Sequence, residues 1–191
     1  MLKKLSLLLI LLLCLSACVP VLIATVGATV GGAIIYDKRS TQAMLEDQQI
    51  ANRASAALNS DPQLKDNARI SVAVFNKVVL MIGQAKSTAA RQRAYQDVRS
   101  VSQVKRVYNQ VVISDQLSLM DASKDTWITS KVKTAMLMKK GLHSSQIKVV
   151  TENKVVYLMG VVTPKQAQLA TDAARQVDGV QRVVQVFENE Y

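Results

Sequence analysis

The side chains with most chemistry to offer lie between Asp125 and Lys140, around Trp127, the only tryptophan of the chain. At about 100° per residue, a helix through this stretch turns Ile128, Val132, Ala135 and Met136 to one side. Trp127, Ser130, Lys131, Thr134, Leu137 and Met138 fall on the other side. The first group must face a core. The second sets an indole and two large aliphatic side chains among hydroxyls, flanked by Lys131, Lys133, Lys139 and Lys140. Such a stripe suits an anionic lipid surface. Rings and methyls enter the headgroup–acyl boundary, and each nearby lysine adds on the order of 1 kcal/mol. The candidate lipid-binding residues are therefore Trp127, Ser130, Lys131, Lys133, Thr134, Leu137 and Met138. The residues alone leave a second placement open, in which this face is buried against another part of the chain.

Other reactive groups are sparse. His143 is the single histidine, and the two cysteines, Cys14 and Cys18, both lie near the N-terminus. One histidine cannot build a metal site without carboxylate or thiolate neighbours, so no metal ligands and no catalytic residues are assigned. His143 follows a helix end and reads as a surface loop residue. Gly83 and Gly160 do not open phosphate loops and are read as structural glycines. The formal net charge of +10 favours an anionic partner, whether nucleic acid, acidic membrane or acidic glycan.

The N-terminus narrows that choice. Lys3 and Lys4 precede an apolar run from Leu5 to Leu13, and Leu15-Ser16-Ala17-Cys18 follows. A basic head, an apolar core and small residues before a cut describe a secretory signal peptide over residues 1–17. The segment looks like a bacterial lipoprotein signal, whose terminal cysteine is acylated. By that resemblance Cys18 carries N-acyl and S-diacylglycerol groups and no other cofactor is expected. Several acyl chains exceed the two-signal threshold for stable anchoring. The competing reading, an uncleaved membrane helix continuing to Ile35, would have to accommodate Pro20, Gly27, Gly31 and Gly32. Val19 stands where inner-membrane lipoproteins usually carry Asp, which points to the outer membrane. A tether over 18–45 follows. Basic charge on a protein tethered outside the cytoplasm argues against nucleic acid as a partner.

The elements that must position these groups come in two copies. Asn76-Lys77-Val78-Val79-Leu80-Met81-Ile82-Gly83 returns as Asn153-Lys154-Val155-Val156-Tyr157-Leu158-Met159-Gly160. Each phrase reads as a turn, a buried strand and a glycine that stops it. With the flanking similarities, this predicts one small domain over 46–114, a linker over 115–120 and a second domain over 121–191. In the first copy, Ile50, Ala54, Ala57 and Leu58 define a helix from Glu46 to Asn59. Ile70–Phe75 and Val78–Ile82 form a hairpin, Ser87 caps a second helix, and Arg106–Ile113 is the last strand. The second copy repeats the order, with Ser123 or Asp125 capping its first helix and Thr163-Pro164 opening its second. Each copy is thus α-β-β-α-β, an α+β fold with two helices on one face of a three-stranded mixed sheet. Arg91, Arg93 and Arg99 read most simply as a solvated face. Domains this small, without a disulfide, are expected to support each other by packing. Gly160 is expected to let the chain turn tightly near the lipid-facing helix.

Two α-β-β-α-β copies with these glycines resemble BON domains, a family associated with bacterial outer layers and osmotic stress. The lipobox, Asp125-Thr126-Trp127-Ile128-Thr129 and Tyr157-Leu158-Met159-Gly160 are similar to the lipoproteins of that family that carry two such domains. The resemblance implies an outer-membrane lipoprotein facing the periplasm. It implies that the second domain binds an anionic phospholipid membrane, such as one rich in phosphatidylglycerol, through its first helix. That binding would support envelope integrity and direct the protein to division sites. Carried over residue by residue, the site falls on Trp127, Ser130, Lys131, Thr134 and Leu137. The alternative is a periplasmic protein-binding scaffold or chaperone whose partners are outer-membrane assembly proteins.

Overall fold

In the computed structural model of the chain, residues 41–115 and 122–189 are described. The signal peptide, Cys18 with its lipid, the tether up to residue 40 and linker residues 116–120 lie outside them. The first copy comprises α1 (Thr41–Ser60), β1 (Ala68–Phe75), β2 (Val78–Ala85), α2 (Thr88–Arg99), β3 (Arg106–Asn109) and β4 (Val112–Ile113). The second comprises α3 (Ala122–Met138), a short 3-10 turn (Ser144–Gln146), β5 (Ile147–Glu152), β6 (Val155–Val162), α4 (Pro164–Arg175) and β7 (Arg182–Asn189). The α-β-β-α-β order holds twice. The first helix begins at Thr41, ahead of the expected Glu46, so its opening turn includes residues assigned to the tether.

In each copy a central strand pairs antiparallel with the strand before it and parallel with the strand after the crossover helix, β1-β2-β3 and β5-β6-β7. The last strand of the first copy is broken. The Val111 N–H turns aside to the Asn109 Oδ1 at 3.1 Å, and parallel pairing with β2 resumes at Val112. Ser87 and Thr163 cap α2 and α4 as expected, accepting from the N–H groups of Ala90 and Gln166.

Each sheet is covered on both faces. Ile50, Ala54, Leu58, Ala90, Ala94 and Val98 from the helices meet Val79 and Met81 of β2. Ile128, Val132, Met136, Ala170 and Ala174 meet Val156 and Leu158 of β6 in the same way. The alternate residues of the strands form a third core shared by the two copies, from Phe75, Val78, Leu80 and Ile82 to Tyr157, Met159 and Val186. The layers run helices, sheet, sheet, helices. This is why β2 and β6 read as unbroken apolar runs and not as alternating ones. Polar contacts close the rim of the seam. Glu188 accepts from Asn76 Nδ2 at 3.0 Å and pairs with Lys105 Nζ at 2.9 Å, while Lys148 Nζ donates to the Val74 carbonyl at 3.0 Å.

The two glycines do not stop their strands, because β2 runs on to Ala85 and β6 to Val162. They sit inside the ladder, opposite Ile70 and Ile147. A Cβ on Gly83, at φ +122°, would lie 2.0 Å from the Arg69 carbonyl oxygen, and one on Gly160 would lie 2.7 Å from that of Gln146. Close backbone approach requires them, and Gly160 makes no turn beside α3. The arginine face of α2 is also more committed than expected. Arg93 Nε lies 2.6 Å from Asp61 Oδ2, and Arg99 donates to the Val104 carbonyl at 3.3 Å.

Candidate functional site

The α3 helix is apolar on two sides for two different reasons. Ile128, Val132 and Met136 are buried against β5, β6 and α4. On the opposite side Trp127 is 58% exposed, Leu137 47% and Met138 79%. From Trp127 to Met138 the stripe extends about 16 Å along the helix at ~1.5 Å per residue. The face is outside the seam between the copies, which the sheets fill. Burial of Trp127 in an interdomain interface is thereby ruled out.

Polar groups within the stripe are satisfied locally. The Ser130 hydroxyl donates to the Thr126 carbonyl at 3.0 Å and the Thr134 hydroxyl to that of Ser130 at 3.0 Å. Their donors are turned back onto the helix, which lowers the cost of setting them against an apolar medium. Lys131 lays its ammonium over the indole, Nζ 3.7 Å from the ring centroid of Trp127. Lys133 is exposed beside the stripe, and Lys139 and Lys140 follow the helix end. The site residues expected from sequence thus share one exposed surface, with Lys133 at its edge. The carboxylate of this helix, Asp125, is buried and takes no part in the surface.

Asp125 holds the helix in place. It was expected as a possible cap, yet the helix already begins at Ala122 and the Asp125 carboxylate reaches the β5–β6 turn. It accepts the N–H groups of Asn153 at 2.7 Å and Lys154 at 2.9 Å. Both turn residues have positive φ, 48° and 63°. A left-handed pair is the geometry that suits a two-residue hairpin, but lysine pays no less steric strain there than other residues with a Cβ. Two charge-assisted bonds offset that strain and pin the turn to α3. Asp47 does the same in the first copy, accepting from Asn76 and Lys77, each at 2.8 Å. Sequence reading missed the clamp made by both aspartates, although their similar spacing, 29 and 28 residues ahead of the Asn-Lys turns, was a signal. A second tie comes from Thr129, whose hydroxyl donates to that of Thr151 on β5 at 2.7 Å.

Glu152, at the end of β5, has its carboxyl pushed up to about 7, first by burial and second by the negative charge of Asp125. Burial also raises the Tyr157 phenol. His143 is exposed ahead of the 3-10 turn, its N–H donating to Gln166 Oε1 at 2.8 Å. Among the described residues no group of three or more His, Cys, Asp or Glu is placed to hold a metal, and no helix is long and apolar enough to cross a membrane.

The BON domain family model matches residues 46–115 and 124–188. The chain belongs to the BON-domain family. The chain is also similar to relatives of which it covers two thirds or more. It is 35% identical over 151 residues to the 21 kDa hemolysin of Actinobacillus pleuropneumoniae, covering 79% of this chain and 78% of that protein. It is 33% identical over 151 residues to the outer membrane lipoprotein DolP of Haemophilus influenzae, with the same coverage of each chain. The osmotically-inducible protein Y of Escherichia coli is 31% identical over 142 residues, 73% of this chain and 70% of that one. The α3 face lies within the second matched BON segment.

Proposed function

We propose that this BON-domain protein is a non-enzymatic outer-membrane lipoprotein of the periplasmic face. Acyl groups on Cys18 anchor it, and α3 of the second BON domain docks on anionic phospholipid of the phosphatidylglycerol type. Such docking would support envelope integrity and localise the protein to division sites. The observation that carries the reading is an indole, a leucine and a methionine exposed along one helix face and bordered by lysines. The relative named as an outer membrane lipoprotein supports the compartment. Interfacial insertion of Trp127 removes its exposed apolar area from water, while the lysines gain from the anionic surface potential.

The test uses the fluorescence of the sole tryptophan. Emission should shift to the blue with phosphatidylglycerol vesicles and remain unchanged with phosphatidylcholine vesicles. In the chain prepared without acyl groups, so that α3 alone can hold it to the bilayer, Trp127→Glu should lower vesicle binding at least tenfold and shift the melting temperature by less than about 2 °C, because the side chain is exposed. Binding that survives this substitution would remove the reading.

One observation favours a second reading, a scaffold for outer-membrane assembly proteins. Val112 and Ile113 are 50% and 44% exposed on β4, a short edge strand open to pairing. Under that reading, protein partners would co-purify equally well with Trp127→Glu and would be lost with Val112→Lys.

A further inference from the structure

The contact between Lys131 and Trp127 is unusual for a face meant to meet an anion. Lysines around a membrane-docking stripe ordinarily extend to solvent. Lys131 instead lies half-buried on the ring, one helical turn from Trp127, its Nζ 3.7 Å from the centroid. We propose that Lys131 sets the headgroup selectivity of α3: its ammonium closes the indole face to cationic headgroups and turns its remaining donors to a lipid phosphate. The inference rests on the membrane-docking reading above and specifies which lipids the surface accepts.

An aromatic face attracts cations through its negative quadrupole, and an indole is the strongest such face in proteins. An uncovered interfacial tryptophan therefore also attracts the trimethylammonium of choline or the ammonium of ethanolamine. With Lys131 already on the ring, a second cation meets like-charge repulsion at short range in a partly desolvated setting. A phosphate meets the opposite situation. An ammonium has three donors, and aiming one at the ring leaves two for phosphate oxygens. The surface then favours a phosphodiester whose headgroup carries no cation. Lys133 has no such position; it adds charge to the surface and covers no ring.

The test follows Trp127 insertion in the full-length chain reconstituted into vesicles, using quenching by bromine on the acyl chains. Because the chain is present on both kinds of vesicle, the readout is indole depth and not capture. Wild-type quenching should be greater in phosphatidylglycerol than in phosphatidylcholine. Lys131→Gln should shrink that ratio about two- to fivefold, with quenching in phosphatidylcholine rising in absolute terms. Lys133→Gln removes the same charge and should lower quenching in phosphatidylglycerol without raising it in phosphatidylcholine. Lys131→Arg, whose guanidinium also stacks on indole, should keep the wild-type ratio. Before any lipid is added, Lys131→Gln should change the Trp127 emission intensity, as loss of the cation from the ring requires. If Lys131→Gln and Lys133→Gln behave alike on both vesicles, Lys131 is a simple charge and the inference fails while docking stands. If wild-type Trp127 is quenched in neither vesicle, docking itself is wrong and the inference goes with it.

Discussion

The first helices of the two BON domains, α1 and α3, align without a gap and are alike on one side only. Asp47, Ile50, Ala54 and Leu58 correspond to Asp125, Ile128, Val132 and Met136, and all eight are buried. On the outward side, Trp127, Ser130, Lys131, Thr134, Leu137 and Met138 face Gln49, Asn52, Arg53, Ala56, Asn59 and Ser60 in the same register. Arg53, the counterpart of Lys131, is held by Gln103 Oε1 at 3.1 Å. One half of the helix sequence is therefore fixed by the fold, because it must fill a core and clamp a hairpin. The other half is free of that demand: α3 carries its apolar stripe along these positions, while α1 is polar there and exposes Met44 and Leu45 only in its first turns.

The shared half should be the most expensive to disturb, and equally so in both copies. Asp47→Ala and Asp125→Ala each strip two N–H groups of a charged acceptor while leaving the hairpin in a left-handed conformation. At about 1.5–3 kcal/mol for each hydrogen bond to a charged group, each substitution should cost about 3–6 kcal/mol in chemical denaturation. The Asn variants, which keep one carbonyl acceptor, should lose about half as much. An inexpensive Asp47→Ala beside a costly Asp125→Ala would mean that the two clamps are not equivalent.

The outward half can be transplanted. Gln49→Trp with Asn59→Leu writes part of the α3 stripe onto α1. Because the layers run helices, sheet, sheet, helices, the two stripes would then face opposite ways. One bilayer cannot meet both, so the variant should bridge membranes. Turbidity of phosphatidylglycerol vesicles should rise severalfold over wild type, with stability changed by less than about 0.5 kcal/mol as for other surface substitutions. Unchanged turbidity would indicate that α3 needs more than an exposed apolar stripe to dock.

This comparison also shows what the sequence could and could not express. Helix stripes, Ser87 and Thr163 caps and the hairpins are encoded by spacing within one element, so periodicity recovered them. The same reasoning turned Trp127 away from the core of its own domain, where Ile128, Val132 and Met136 left it no place, but it did not decide between solvent and the other copy; the structure decides for solvent. The seam was harder to see. Val78–Ile82 and Val155–Met159 are apolar on both faces, which a strand buried in one domain shares with a strand buried between two. Gly83 and Gly160 looked like strand ends because a glycine that admits a neighbouring carbonyl has no local signature distinct from one that turns. Arg93 with Asp61, and each aspartate with its hairpin, join residues about thirty positions apart, beyond the reach of local pattern.

The smallest expected effect concerns a position where the copies differ inside the seam. Glu152 occupies the site of Phe75, which is buried at the end of β1. Its carboxyl is pushed up to about 7 from 4.5 by burial and by Asp125; Tyr157 and Arg182 are the other ionisable groups linked to this corner. The sign follows from proton counts. Between about 4.5 and 7 the folded chain holds a proton that the unfolded chain has released, so stability falls as pH rises through that window. Below it, both states are protonated and there is no penalty; above it, the folded chain bears a half-buried charge. Since this carboxyl is only partly shielded, solvent screening should reduce the penalty to about 1 kcal/mol. Glu152→Gln should therefore melt about 2–4 °C above wild type at pH 8 and level with it at pH 4. Glu152→Phe, which copies the first domain, should follow the same pH trend. A gain of equal size at both pH values would assign the effect to packing, and the unlike residues would then differ in shape alone and not in charge.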